Sequence, residues 1–279
     1  MSYLSLLRPN QWLKNLMLLF PPFLGGQLLN PGVLRAGIVP IASFCLASSS
    51  TYILNDIMDR QHDALHPRKK YRPLAAGKVP LSAAFVLAAV LCAAGLWLAS
   101  RVSGTFFLIL VAYLAISVSY SLKLKQLPLV DLFCIASGFL LRLEAGGEAF
   151  RIVISDWLFL SVFLLAVFLA TGKRLGEKQS LGEEAGGHRK SLLSYPDGFL
   201  PGAMYMTGGA VLVTYTQYVI VRHTMIYTVP LCCFGLMRFI MRVQSGQGGD
   251  PTESLLKDVP LFIVGLLWAV MVGWGLYSG

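Results

Sequence analysis

Long apolar runs separated by short polar connections set the pattern of this chain. The runs at about 34–57, 81–100, 105–122, 157–172 and 259–277 carry little charge, and each is close to the roughly 20 residues a helix needs to cross hydrocarbon. Four weaker runs complete the series. One at about 16–29 is bent by Pro21-Pro22 and preceded by an interfacial lead-in over 2–15, with Trp12 at headgroup level. One at about 127–144 is interrupted by Asp131, Arg142 and Glu144. The others, at about 198–217 and 225–241, include a segment loosened by Gly202, Gly208 and Gly209. The expected fold class is therefore all-α: a polytopic membrane helical bundle of about nine transmembrane helices. The connection 59–80 is too polar for hydrocarbon and is expected to hold short interfacial helices around 59–66, while 173–196 and 244–258 are expected to be polar loops.

Composition supports this reading. Hydrophobic residues make up 56% of the chain and charged residues 13%, with mean hydropathy +0.65. So few charges could hardly coat a soluble helical core of this size, and a transmembrane barrel would need many short alternating segments that are absent. The net charge of +9 changes the picture only through its distribution. Arg8, Lys14, Arg60, the run from Arg68 to Lys78, Lys123, Lys125, Lys173, Arg174, Lys178, Arg189, Lys190, Arg238, Arg242 and Lys257 fall on one side of the nine expected spans. Arg35, Arg101, Arg151 and Arg222 fall on the other, and Arg142 near that end of the fifth span. The positive-inside bias then places the N-terminus in the cytoplasm and, after nine crossings, the C-terminus outside. No recognition helix, zinc finger or aromatic-basic platform points to nucleic acid. Cys45, Cys92, Cys134, Cys232 and Cys233 lie in apolar surroundings without metal-ligand spacing and read as small core hydrophobes. The first apolar stretch lacks a small-residue cleavage site and reads as a retained span.

Candidate chemistry gathers where the second span ends. Asn55, Asp56, Asp59 and Asp63 follow an almost uncharged run, and spacings of three and four put the three carboxylates along one helical face. Oxygen-only donors suit Mg²⁺, which keeps waters and joins carboxylates to substrate phosphates, so Asp56, Asp59 and Asp63 are the expected metal ligands of a pyrophosphate site. The adjacent basic run supplies a positive field, and Arg72 is its best phosphate ligand because a guanidinium fork is bidentate. His62 reads as solvated or supporting, since one imidazole beside hard oxygen donors is a weak metal signal. Tyr120 and Lys123, three apart at a membrane boundary, share a face that could meet a phosphate. Arg142 and Glu144 read as a structural polar pair, and Asp131 as a support for the Tyr120–Lys123 face. A lipid or ion transporter would concentrate ionisable residues at the membrane midplane, whereas here they collect at one surface.

Across nearly its full length the chain resembles the UbiA-type intramembrane prenyltransferase superfamily, through NDxxDxxxD at Asn55, Asp56, Asp59 and Asp63. Within it, the opening Leu7-Arg8-Pro9-Asn10-Gln11-Trp12-Leu13-Lys14-Asn15, the Tyr120-Ser121-Leu122-Lys123 segment and Gly172-Lys173-Arg174-Leu175-Gly176-Glu177 resemble the decaprenyl-phosphate phosphoribosyltransferase branch. The superfamily's usual second aspartate-rich motif is replaced by Lys173, Arg174 and Glu177. The resemblance implies a single integral membrane transferase domain over 1–279 in a bacterial inner or plasma membrane, with cytoplasmic active-site loops and contact with membrane lipids. It further implies Mg²⁺-dependent transfer of a 5-phosphoribosyl group from phosphoribosyl pyrophosphate to a long-chain polyprenyl phosphate. In that reading Asp56, Asp59, Asp63, Lys173 and Glu177 are catalytic, and Asn55, Arg72, Tyr120, Lys123, Arg174 and Arg189 bind substrate. The competing enzyme is a prenyltransferase using a polyprenyl pyrophosphate and an aromatic or other lipophilic acceptor. Homo-oligomerisation is left open, as are roles for Tyr195, Glu253 and Asp258 near the donor.

Overall fold

The computed structural model describes residues 2–65, 69–181, 190–222 and 226–278, and the described residues are helices and turns without strands. In chain order α1 is Ser2–Leu6, followed by a 3-10 helix Pro9–Leu19 that runs directly into α2, Phe20–Leu24. Next come α3 Pro31–Met58, α4 Arg60–Leu65, α5 Leu81–Ser100 and α6 Gly104–Leu122. The long helices α7, Val130–Phe150, and α8, Asp156–Leu181, are followed by the single turn α9, Lys190–Leu193. The chain ends with α10 Phe199–Val221, α11 Thr228–Gln244, α12 Pro251–Lys257 and α13 Val259–Tyr277. Five of these, α3, α5, α6, α8 and α13, are long and apolar enough to cross a membrane. The protein is an integral membrane helical bundle, and the weaker spans expected near 127–144, 198–217 and 225–241 lie on α7, α10 and α11.

Helix ends follow local chemistry. Asn30 caps α3 by accepting from the Gly32 amide, with Pro31 in the first turn where its missing N–H costs nothing. Ser103 caps α6 through the Phe106 amide, and Asp250 caps α12 ahead of Pro251. The expected first span is different. Residues 9–19 form the tighter 3-10 coil and the helix is over by Leu24, with Pro9, Pro21 and Pro22 each withholding a backbone donor. Trp12 Nε1 donates to Ser49 Oγ, 3.0 Å away on α3.

The residues fall into two compact units. The first comprises Met1–Phe23, Gln27–Lys125 and Leu141–Val153, and the second Leu24–Gly26, Gln126–Leu140 and Ile154–Gly279. In the first, α3 packs on α5 and α6 around Leu18, Phe44, Ala47, Ala99, Phe106, Leu110 and Ala145. Gly146 sits where a Cβ would meet the Leu18 carbonyl oxygen at 2.3 Å, so only glycine lets α7 approach the 3-10 helix there. Arg142 is also buried in this unit. It does not pair with Glu144 as expected; its Nε donates to Asn15 Oδ1 at 2.8 Å and its Nη2 to Tyr113 Oη at 2.9 Å, over whose ring it also lies. A spacing of two puts residues 142 and 144 on different helix faces.

In the second unit α8 packs on α10, and Phe168, Leu175, Leu200, Met204, Phe239 and Val243 share one apolar cluster. Here α8 overruns its expected end at about 172 by more than two turns. Gly172 and Gly176 make this possible: a Cβ on Gly249 would fall 2.1 Å from the Gly172 carbonyl oxygen, and one on Gly176 2.6 Å from the Gly249 amide nitrogen. The 249 backbone thus lies directly against α8, and Lys173, Arg174 and Glu177 are helical residues, not loop residues. Beyond it, Asp258 caps α13 through the Leu261 amide and receives Arg238 Nη2 at 2.8 Å and Arg242 Nη1 at 3.4 Å. Asp258 therefore braces this corner. Glu253 forms a local pair with Lys257.

Two consequences can be measured. Gly249→Ala should destabilise the purified protein by about 1–3 kcal/mol through overpacking, seen as a lower thermal midpoint. Gly209→Ala, where a Cβ meets nothing within 4 Å, should leave it unchanged or slightly higher. The hydrogen bond from Arg238 holds the Asp258 carboxyl down at about 2 from its ordinary 3.8. A depressed carboxyl contributes stability that is present above the ordinary value and lost as pH falls through the folded one. Unfolding followed from pH 5 downward should show this loss between about pH 4 and 2, and Asp258→Asn should remove that share of the acid dependence.

Candidate active site

The carboxylate site is built from the end of α3. Asp59 is the C-cap residue, its amide still bonded to the Asn55 carbonyl, and the chain resumes as α4 with the Asp63 amide donating to the Asp59 carbonyl at 2.8 Å. The helical phase carries through the join. Asp56 and Asp63 consequently share one face, and a single atom, Arg72 Nη1, reaches both: 3.1 Å to Asp56 Oδ1 and 2.6 Å to Asp63 Oδ2. Asp59 turns aside. Its Oδ2 accepts from Asn55 Nδ2 at 3.1 Å and its Oδ1 is ion-paired with Lys125 Nζ. Asp56 and Asp63 are buried, whereas Asp59 keeps 29% of its side chain exposed.

Hydrophobic anchoring places the cations. Leu74 and Val79 in the polar connection bury themselves with Leu6, Ile53, Ala84 and Ala88, which draws the Arg72 backbone in beside α3. The same cluster fixes α1, and Arg8 follows it in the left-handed region at φ 51, a conformation that costs a non-glycine residue roughly 1–3 kcal/mol. Its guanidinium is ion-paired with Asp56 Oδ1 and lies 5.5 Å from the centre of the Tyr52 ring. Ser49 Oγ ties the segment down by donating to the Leu7 carbonyl at 2.9 Å. Three carboxylates thus face three cations, Arg8, Arg72 and Lys125, which is how acidic groups at the end of an apolar helix are accommodated.

The expected residues divide accordingly. Asn55, Asp56, Asp59, Asp63 and Arg72 are brought together. Tyr120 is half-buried on α6 and Lys123 exposed at its C-terminus, while it is the next lysine, Lys125, that reaches Asp59. His62 is exposed on α4. The sequence assigns Arg8 and Lys125 no site role beyond their side of the membrane. The one available signal for Arg8 was its place in the opening segment, and Lys125 had none beyond its short connection. Arg68, Glu183, Glu184 and Arg189 lie outside the described residues.

A second polar cluster lies within the other unit. Arg174, 1% exposed, sends Nε to Asp131 Oδ2 at 2.6 Å and Nη1 to Glu177 Oε2 at 2.5 Å. Asp131, with no exposure, also accepts from Tyr195 Oη at 2.8 Å. This carboxylate serves Arg174 and Tyr195. Burial is the first cause pushing the Tyr195 phenol well above its ordinary value, so it stays a neutral donor. Lys173 Nζ meets Asp250 Oδ2 at 3.0 Å.

Among the described residues no three His, Cys, Asp or Glu side chains form a ready metal cage. The donor set is nonetheless compatible with Mg²⁺. All the site's acidic donors are hard oxygens, and both ion pairs of Asp56 use Oδ1. A Mg²⁺ that retains waters and arrives with phosphate oxygens needs only one or two protein carboxylates.

Known proteins agree with this architecture. The sequence pattern of the UbiA prenyltransferase family matches residues 18–257. A decaprenyl-phosphate phosphoribosyltransferase of Mycolicibacterium smegmatis is 33% identical over 97% of this chain and 91% of its own length. Its namesake in Corynebacterium glutamicum is 32% identical over 97% and 85%. A UbiA homologue from Archaeoglobus fulgidus, solved bound to GPP and Mg²⁺, superposes with a TM-score of 0.77 at 21% identity, all of both chains being covered. A match over most of the chain, in the fold its helices already displayed, places it in the UbiA prenyltransferase family.

Proposed function

We propose that this protein transfers a 5-phosphoribosyl group from phosphoribosyl pyrophosphate to a long-chain polyprenyl phosphate, releasing pyrophosphate. The observation that carries the choice of donor is the end-to-end likeness to relatives bearing that activity in their names. The carboxylate–cation cluster supports the pyrophosphate end of the reading, and the Lys173, Arg174 and Glu177 substitution of the second aspartate-rich motif supports a donor other than a simple isoprenoid. The positive-inside bias supports a cytoplasmic site in a bacterial plasma membrane.

In this reading a lipid phosphate oxygen bonds to the anomeric carbon as the carbon–oxygen bond to pyrophosphate breaks, and pyrophosphate departs with the electron pair. The acceptor phosphate is already ionised near neutral pH, so no strong protein base is required. Asp56, Asp59 and Asp63 would hold Mg²⁺, which supplies positive charge to the departing diphosphate. Asn55 steadies Asp59, and Arg72 is placed to exchange a carboxylate for a phosphate oxygen when the donor binds. Tyr120 and Lys123 are assigned to a substrate phosphate, and Lys173 and Glu177 to the reacting donor. The spans hold the acceptor tail, which converts a collision of two molecules into alignment within one complex.

Purified protein in lipid nanodiscs should label decaprenyl phosphate from phosphoribosyl pyrophosphate in the presence of Mg²⁺. Turnover with geranyl pyrophosphate and an aromatic acceptor, and none with the first pair, would replace this reading by prenyl transfer. Chelation with EDTA should abolish the product and added Mg²⁺ restore it. Asp59→Asn should lower kcat by about 100-fold or more, the scale of a lost charge-stabilising group, with membrane insertion unchanged; wild-type turnover in that variant would remove Asp59 from the metal site.

A further inference from the structure

The second polar cluster contains a chain of contacts running from a tyrosine to Glu177. Tyr195 Oη donates to Asp131 Oδ1 at 2.8 Å and accepts the Leu129 amide, also at 2.8 Å. With both its roles used, the hydroxyl cannot rotate. Its proton occupies Oδ1 and leaves Oδ2 to Arg174 Nε at 2.6 Å. This contact sets the plane of the guanidinium, which then directs Nη1 to Glu177 Oε2, one turn further along α8. Exposure grades along the same path: Asp131 and Arg174 are sealed, whereas Glu177 keeps 33% of its side chain open. Only the last member can meet a soluble substrate.

The surroundings hold the chain rigid. Leu129 sits in the left-handed region at φ 64, an arrangement a leucine keeps only when its neighbours fix it, and the hydrogen bond to Tyr195 is such a restraint. Tyr195 itself is 2% exposed and stacked on Phe199 at 5.7 Å. Lys178, one residue beyond Glu177, donates to the Tyr195 carbonyl at 2.9 Å. A buried guanidinium serving only stability would be better replaced by apolar packing. Here it joins a sealed carboxylate to an open one.

We propose that Arg174, Asp131 and Tyr195 are positioning residues: they act on the reaction through Glu177, by fixing its carboxylate in one orientation toward the donor. In this proposal Arg174, 2% exposed and paired with two carboxylates, acts on the donor through Glu177. The inference rests on the role given to Glu177 above, though not on which donor is used.

A double-mutant cycle in the full-length protein in nanodiscs tests this. The kcat of Tyr195→Phe is compared with wild type, then Tyr195→Phe is compared again in a Glu177→Gln background, with Glu177→Asp as the background if Gln is too slow to follow. Loss of one hydroxyl should lower kcat about tenfold in the wild-type background and no more than about twofold once Glu177 is altered, the signature of residues acting in series. An equal loss in both backgrounds, or none in the wild type, would overturn the proposal. Arg174→Lys should behave like Tyr195→Phe, because an ammonium cannot reproduce the two-pronged guanidinium geometry. The cycle is run with whichever donor the wild-type protein turns over, phosphoribosyl or geranyl pyrophosphate, so a wrong donor does not decide its outcome.

Discussion

Burial of Asp56 near the C-terminal end of an apolar helix is the constraint from which the first unit's organisation follows. A carboxylate removed from water costs several kcal/mol unless opposite charge and hydrogen bonds replace the lost solvation. The chain supplies them from segments that otherwise have little reason to meet. Arg8 comes from the link between α1 and the 3-10 helix, and Arg72 from the polar connection. Neither segment could hold its cation there by charge alone, because the surrounding apolar surface offers no lateral support. Leu6, Leu74 and Val79 provide that support by sharing an apolar cluster with α3 and α5. The hydrophobic effect places the backbone, and electrostatics chooses the side-chain direction.

The second unit solves a similar problem differently. Arg174 and Asp131 are sealed and satisfy one another directly, with Tyr195 donating to the other carboxylate oxygen. Burial away from water strengthens the charge–charge contact between them. The polar members nearest solvent, Lys173 and Glu177, are also the ones assigned to the reaction.

Much of this was legible in the chain because the strong signals are local. The limits of α5 and α13 coincide with the apolar runs at 81–100 and 259–277, and the aspartate spacing survives the break at Asp59 because the hydrogen-bond phase does. What could not be read is where distant segments land. Arg8 and Lys125, partners of Asp56 and Asp59, lie 48 and 66 residues away, and no spacing or periodicity links them to those carboxylates. The extension of α8 was hidden for a related reason. A Lys-Arg pair followed by glutamate looks solvated until Asp131 and Gly249 are brought alongside. Prolines misled in the opposite sense, since a bent span and a 3-10 coil ending in one short helix obey the same local rule at Pro21-Pro22.

The bond between Asn15 and Arg142 has a consequence for biogenesis. Its two halves are 127 residues apart in the chain, so Asn15 is made long before the guanidinium that will satisfy it has been translated. Meanwhile the nascent segment can use only neighbours already synthesised, such as Ser48, whose hydroxyl it keeps at 3.2 Å in the finished protein. Delivery of α7 then closes the polar seam from the other side. Insertion of this protein is thus a deferred assembly, in which the earliest segment reaches its final partner only after half the chain has left the ribosome.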